Sequence, residues 1–349
     1  MIIKDVKQGL TVQEQVKHNN IYRRAPHIRT ITTTATIMTD VCVSLIPATF
    51  FGIGMFGAHA ALIILTGVLS AVISELIFQL LTHREVTVND MSAFLTGLLL
   101  SLTLPPTVPL WIPAVGSAFA IIIVKQLYGG IGCNIMNPAL AARCFLHISF
   151  AKPMTEYICP LTDAVSSATP LEVLKTSSMT QVTTSFSAGN SIAPQATLFG
   201  AGNNIDLGGM FLGITAGTIG EVSVMAIIAG GMYLVYRKVI TVCIPMAYIT
   251  SFIGYIVIYS LISNNGIDIR YIGAHMFGGG LLFGIIFMAT DYVTSPMSFA
   301  GKCIYGAFAG VLTGILRIHG TSAEGVSYAI LCANMIVPLI DGKCACLRR

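Results

Sequence analysis

Ten apolar runs follow one another along this chain of 349 residues, at about 35–57, 59–82, 91–104, 109–127, 137–151, 208–235, 239–263, 272–290, 302–317 and 325–340. A helix that crosses a bilayer needs about 20 mostly apolar residues. Runs of this length, repeated this often, leave no soluble fold that could bury them all. Composition agrees: 54% of the residues are hydrophobic and 10% charged, against about 25% charged in a soluble domain. The 34 glycines suit close packing of helices in lipid.

The third, fifth, ninth and tenth runs are too short for a simple span. The third ends in Leu104-Pro105-Pro106 and the fifth begins at Asn137-Pro138. In lipid such interruptions persist only where protein or a cavity satisfies the freed backbone groups, and in repeat-built membrane proteins they mark midplane sites. Residues 152–207 are rich in Ser, Thr, Pro, Asn and Gln and hold no run of spanning length. They divide five runs from five. Thr96-Gly97-Leu98-Leu99-Leu100 before Leu104-Pro105-Pro106 is echoed by Gly279-Gly280-Leu281-Leu282-Phe283 before Thr294-Ser295-Pro296, and an odd number of spans per half would invert the second half. The expected fold is an all-α polytopic membrane protein of about ten segments in two inverted five-helix repeats, some segments broken or half-length. Its expected divisions are 1–34, 35–151, an extracytoplasmic segment 152–207, 208–341 and a tail 342–349.

Lysine and arginine near span ends set the orientation. With the amino terminus in the cytoplasm, the alternating spans place 15 of the 19 basic residues inside, Lys125 and Arg143 among them, and leave Lys152, Lys175, Arg270 and Arg317 outside. Both termini are therefore expected in the cytoplasm and residues 152–207 on the outer face of the cytoplasmic membrane. No short apolar core with a cleavage site follows the basic amino-terminal stretch, as a signal peptide would require.

The nine cysteines show no zinc-type or redox spacing, so no metal is expected. Within the runs, Asp40, Glu75 and Glu221 stand out, because a carboxylate at membrane depth is costly and marks an ion or proton path by default. Asp40 lies near one end of its run, where an interfacial role fits as well. In the outward segment, Asp163-Ala164-Val165-Ser166-Ser167-Ala168-Thr169-Pro170 is a hydroxyl-rich stretch. Pro170 biases Thr169 toward an extended backbone that presents its side chain.

That stretch resembles the flavinylation motif, Asp-x-x-Ser-Ser-Ala-Thr, of a family of membrane redox subunits in Rnf-type complexes and sodium-pumping NADH:quinone reductases. Ala25-Pro26-His27-Ile28-Arg29, the Gly129–Ala139 segment and Thr290-Asp291-Tyr292-Val293-Thr294-Ser295-Pro296 are similar to further family segments. Many members carry glycine where Ala164 and Ser167 stand. The resemblance implies FMN joined through a phosphoester to Thr169, with Asp163, Ser166, Ser167 and Ala168 read by a flavin transferase; Asp291, with Thr294 and Ser295, caps a short helix or else lines a second site for non-covalent riboflavin, as relatives hold. The resemblance also implies a flavinylated G-type subunit and iron–sulfur membrane subunits as partners, lipid around the spans and no nucleic acid. The implied activity is electron transfer between ferredoxin and NAD coupled to Na+ or H+ movement. Length favours the ferredoxin-dependent complex over the quinone reductase. A channel built like the urea transporters, without redox chemistry, is the reading from another class.

Overall fold

A computed structural model describes residues 33–84, 86–158, 169, 171, 207–262, 268–320 and 325–346. Asp163, Ser166, Ser167 and Ala168, the amino-terminal stretch up to 32 and most of 152–207 lie outside the described residues. What is described is helical throughout its regular elements. α1 (Thr34–Phe56), α2 (Ala58–Leu81), α3 (Ser92–Leu102) and α4 (Trp111–Phe119) come first. They are followed by α5 (Pro138–Ser149) and the short α6 (Ala151–Thr155). After the segment around Thr169 come α7 (Leu207–Leu212), α8 (Val224–Tyr236), α9 (Cys243–Ile262) and α10 (Ile269–Phe277). α11 (Leu281–Phe283), α12 (Phe299–His319) and α13 (Val326–Cys346) complete the chain, the last running past residue 342.

α1, α2, α9 and α12 are long and apolar enough to cross a membrane, and α10 with α11 makes a fifth such unit bent by 56°. The chain is a multi-pass membrane protein. Its helices are inside-out relative to a soluble bundle. In α2, Leu62, Leu65, Leu69, Ile73, Leu76 and Leu80 are exposed, while Ala60, Ile63, Gly67, Ala71, Glu75 and Gln79 are buried. Both sets recur every three or four residues, one set per helix face. The outer face meets lipid, so the inner face packs by fit and by polar contacts rather than by escape from water.

Glycine makes that fit. A Cβ on Gly97 of α3 would sit 2.8 Å from the Gly67 carbonyl oxygen of α2. On α12, Gly306, Gly310 and Gly314 form one stripe against α9, where a side chain would strike Ile244, Tyr248 and Tyr255 in turn. The contacted residues advance along α9 as the glycines advance along α12, so these two helices run parallel.

Two departures from the sequence expectation carry the architecture. The run at 208–235 is not one helix: α7 stops at Leu212 and α8 starts at Val224, with Ser223 accepting a bond from the Ala226 amide at 3.3 Å as its cap. Gly213 turns the chain at φ 94°, with no room for a Cβ beside Val222. The ninth and tenth runs lie in helices longer than their apolar lengths, at 21 residues each, with Arg317 and His319 in the last turn of α12. The prolines at 105, 106 and 109 stop α3 as expected. The two non-helical stretches cross: the Gly220 amide donates to the Leu102 carbonyl at 2.7 Å, and the Ile219 amide to Leu104 at 3.1 Å.

Two helices finish in wide π turns, α4 over Ala120–Gln126 and α11 over Gly284–Met288. Such turns insert a residue and re-aim the side chains that follow. Gly310→Val should lower stability in detergent by about 1–3 kcal/mol through overpacking. Gly254→Val, where nothing lies within 4 Å, should do far less; paired thermal melts of the two variants check this.

Candidate functional site

Thr169 is buried, 7% exposed. It lines a cavity of about 20 Å³ with Leu171, Met210, Thr215, Glu221 and Gly279. The opposite wall is the turn between α10 and α11. Gly279 and Gly280 both sit at φ 64°, a left-handed conformation that glycine reaches without penalty. Arg317 of α12 holds the turn from behind, donating to the carbonyls of His275 at 2.5 Å, Gly278 at 3.0 Å and Gly279 at 2.8 Å. Glu221 holds it from the front, where one carboxylate oxygen accepts the Gly280 amide. The other accepts the Thr218 hydroxyl at 3.0 Å. A second buried cation is near: a Cβ on Gly280 would lie 3.9 Å from an Arg143 guanidinium nitrogen and 3.3 Å from a Glu221 oxygen.

Glu75 lies elsewhere, in a buried network between α2, α3 and the π turn after α4. Its Oε1 accepts Lys125 Nζ at 2.6 Å, Gln126 Nε2 at 2.6 Å and Gln79 Nε2 at 3.4 Å. Lys125 Nζ also donates to Ser92 Oγ at 2.7 Å, at the start of α3. Glu75 is 0% and Lys125 2% exposed, so each charge is supported only by its partners. The wide turn brings Lys125 and its neighbour Gln126 onto the same carboxylate oxygen. Glu75 Oε2 makes no hydrogen bond among the described residues.

Lys125 and Ser92 also line a second cavity, of about 80 Å³, together with Asn137, Thr290, Asp291 and Tyr292. Asn137 caps α5 by accepting the Ala139 amide at 3.0 Å, and donates to the Met288 carbonyl at 3.4 Å. Asp291 accepts the Thr294 hydroxyl at 3.2 Å within its own turn. The helix α11 and its π turn run from the Gly280 turn at one cavity to Thr290 at the other, roughly 12 Å by helical rise.

The three membrane carboxylates thus occupy three separate neighbourhoods. Asp40 of α1 pairs with Arg237 at 3.1 Å and accepts the Tyr233 hydroxyl at 3.3 Å, a clamp at the end of α8. Glu221 joins Thr169; Glu75 joins Lys125. Sequence reasoning missed Lys125, Arg143 and Arg317, which it counted as flanking charges although all three are buried. The signal available for Lys125 was its position at the end of an otherwise uncharged run, with a carboxylate in a neighbouring run to meet it.

Residues 21–345 match the NQR2, RnfD, RnfE family. The chain belongs to this family. It is 39% identical over 333 residues to the D subunit of the proton-translocating ferredoxin:NAD(+) oxidoreductase complex of Clostridium ljungdahlii, covering 94% of this chain and 96% of that one. It is 40% identical over 321 residues to the D subunit of the Na(+)-translocating ferredoxin:NAD(+) oxidoreductase complex of Acetobacterium woodii, covering 91% of each. The D subunit of the ion-translocating oxidoreductase complex of Stutzerimonas stutzeri is 36% identical over 335 residues, covering 88% of this chain and 90% of that one.

Removing one partner of a buried ion pair costs about 3–5 kcal/mol, whereas replacing both with neutral groups costs far less. Lys125→Ala should therefore destabilise the protein strongly, and adding Glu75→Gln to Lys125→Met should recover most of the loss. Thermal unfolding midpoints of the single and double variants test this.

Proposed function

We propose that this chain is the D subunit of an Rnf-type ferredoxin:NAD+ oxidoreductase complex, an electron-transfer subunit that carries FMN covalently on Thr169 and belongs to a machine moving Na+ or H+. The observation that carries the reading is the nearly end-to-end similarity to two D subunits of such complexes. Those two relatives differ by name in the ion they move, and this chain takes one or the other.

Thr169 has the features a phosphoester anchor needs. Its hydroxyl follows the Asp163–Ala168 recognition stretch, it is held in a buried pocket, and the buried guanidinium of Arg317 supports the turn facing it. Charge-assisted bonds to arginine are the strongest available to a phosphate. A cavity of about 20 Å³ holds roughly one water, so the flavin ring system lies outside it, with only the anchor inside. The flavin supplies the electron chemistry when bound, while the protein supplies position and electrostatics. We place a non-covalent riboflavin against Lys125, Ser92, Asn137 and Asp291 at the mouth of the second cavity; at about 80 Å³ the cavity is well below the roughly 300 Å³ of a cofactor pocket, so it takes part of the molecule and not the whole.

Glu75 and Glu221 are the candidates for the ion path. Each is a carboxylate inside the membrane region with polar company, and Glu75 keeps an oxygen without a hydrogen bond among the described residues. Asp40, clamped by an exposed arginine, serves the path at its mouth or only the helix pairing. The proposed orientation keeps both termini in the cytoplasm and Thr169 outside, because the basic-residue bias survives removal of buried Lys125, Arg143 and Arg317. The two halves form an inverted repeat: α2 and α9 are full-length, Met91 and Gly280 both adopt a left-handed conformation before α3 and α11, and α4 and α12 pack back on α2 and α9. The proposed partners are a flavinylated G-type subunit, iron–sulfur membrane subunits and a flavin transferase.

The test is in-gel flavin fluorescence of the denatured protein, made with and without the transferase. Fluorescence that depends on the transferase and vanishes in Thr169→Ala is the expected result. A dark band from wild type beside a competent transferase would remove the covalent flavin and favour a channel.

A further inference from the structure

The parallel helices α9 and α12 begin with a pair of thiols. Cys243 is the first residue of α9, Cys303 lies in the first turns of α12, and their sulfurs are 3.2 Å apart. Cys243 Sγ also lies 3.9 Å from the Phe299 carbonyl oxygen, its other contact. Both cysteines are free and half-buried. The separation is fixed by packing farther along. Gly306, Gly310 and Gly314 bring the α12 backbone onto Ile244, Tyr248 and Tyr255 of α9, at a constant register of about 60 residues, and the cysteine pair continues that register by one more turn. A disulfide needs its sulfurs about 2.05 Å apart on Cα atoms about 4.4–6.8 Å apart; with the sulfurs already at 3.2 Å, roughly 1 Å remains to be closed.

We propose that Cys243 and Cys303 form a dithiol modification site, oxidised by hydrogen peroxide to an intramolecular disulfide. One thiol, as thiolate, attacks the peroxide oxygen; the O–O bond breaks, and a sulfenic acid and water form. The second thiol attacks that sulfur, the S–S bond forms, and a second water leaves with the remaining proton. Two thiols and one peroxide become one disulfide and two waters, with two electrons passing from sulfur to oxygen. Neither sulfur advances to irreversible acids, because its partner is already within contact. Lys302, adjacent to Cys303, lies 3.3 Å from the Thr241 hydroxyl, at the same end of the two helices as the pair.

The place of the pair gives the disulfide a structural effect. The connection into α9 carries Val239, which accepts the Tyr292 hydroxyl, and the connection into α12 carries Asp291 and Tyr292. Both wall the cavity that holds Lys125. A covalent link at Cys243–Cys303 ties these two connections together at their helix ends.

The experiment treats membranes containing the assembled complex with hydrogen peroxide, blocks free thiols with iodoacetamide under denaturing conditions, and maps peptides by mass. The dose is raised until exposed Cys133 is oxidised, so that peroxide delivery is verified in the same sample. Expected is a cross-linked peptide joining Cys243 to Cys303, lighter by two hydrogens, with loss of both alkyl adducts and full recovery after dithiothreitol. In Cys303→Ser, Cys243 should stop at the sulfenic acid and be trapped by dimedone. Alkylation of both cysteines while Cys133 is oxidised would overturn the proposal, as would pairing of either with a different cysteine.

Discussion

Two backbone hydrogen bonds between non-helical stretches organise this molecule. Inside a membrane a broken helix exposes amides and carbonyls that have no water to bond, and each orphan costs several kcal/mol. Here the break after α3 and the break before α8 are placed against each other, so that Gly220 and Ile219 donate to carbonyls of 102 and 104. Each break satisfies the other, and neither half of the chain could keep its interruption alone. Gly220 is glycine because its Cβ would lie 2.7 Å from that of Leu102. The crossing also sets the next residue, Glu221, against the Gly280 amide. A third interruption, the Gly278–Gly280 turn, is thereby closed by the first two.

Around this knot, charge is distributed by support rather than by exposure. Arg317 satisfies three carbonyls of the bent segment, as an arginine's fixed fork of donors allows and a lysine's point charge does not. Glu75 and Lys125 neutralise each other, and amide and hydroxyl groups take up most of their remaining bonds. The two arrangements do different work. The first holds a backbone turn in shape. The second keeps an ionisable carboxyl and its counter-charge beside a cavity, in a region where charge is otherwise sparse.

Much of this was legible in the sequence, and the limits were physical. Apolar length located nearly every helix, because lipid imposes that length locally, and the prolines at 105 and 106 placed a break that any context would produce. The break at 213–223 was legible only at Gly220, beside Glu221, where a helix break is expected; Gly213 and Gly217 are ordinary in membrane helices, and the bonds to Leu102 and Leu104, more than a hundred residues away, are what make the longer unwinding favourable. Glu221 was singled out by its cost in lipid, but its partner is a backbone amide with no sequence mark. Thr169 was legible through its motif alone; nothing local foretold that it would face a double-glycine turn. Lys125 was misread as a flank because a positive charge at a run's end usually reaches water, and here the π turn aims it inward.

One short helix links the two cavities. Gly280 gives its amide to Glu221 and begins α11, whose far end delivers Thr290 and Asp291 to the cavity of Lys125. Glu221 therefore sits as an anion at the positive end of a short helix, the arrangement in which a carboxylate is favoured. The turn held by Gly279 and Gly280 therefore joins the two cavities: Glu221 and Arg317 fix it at one end, and α11 with its π turn carries its position to Thr290 and Asp291 at the other.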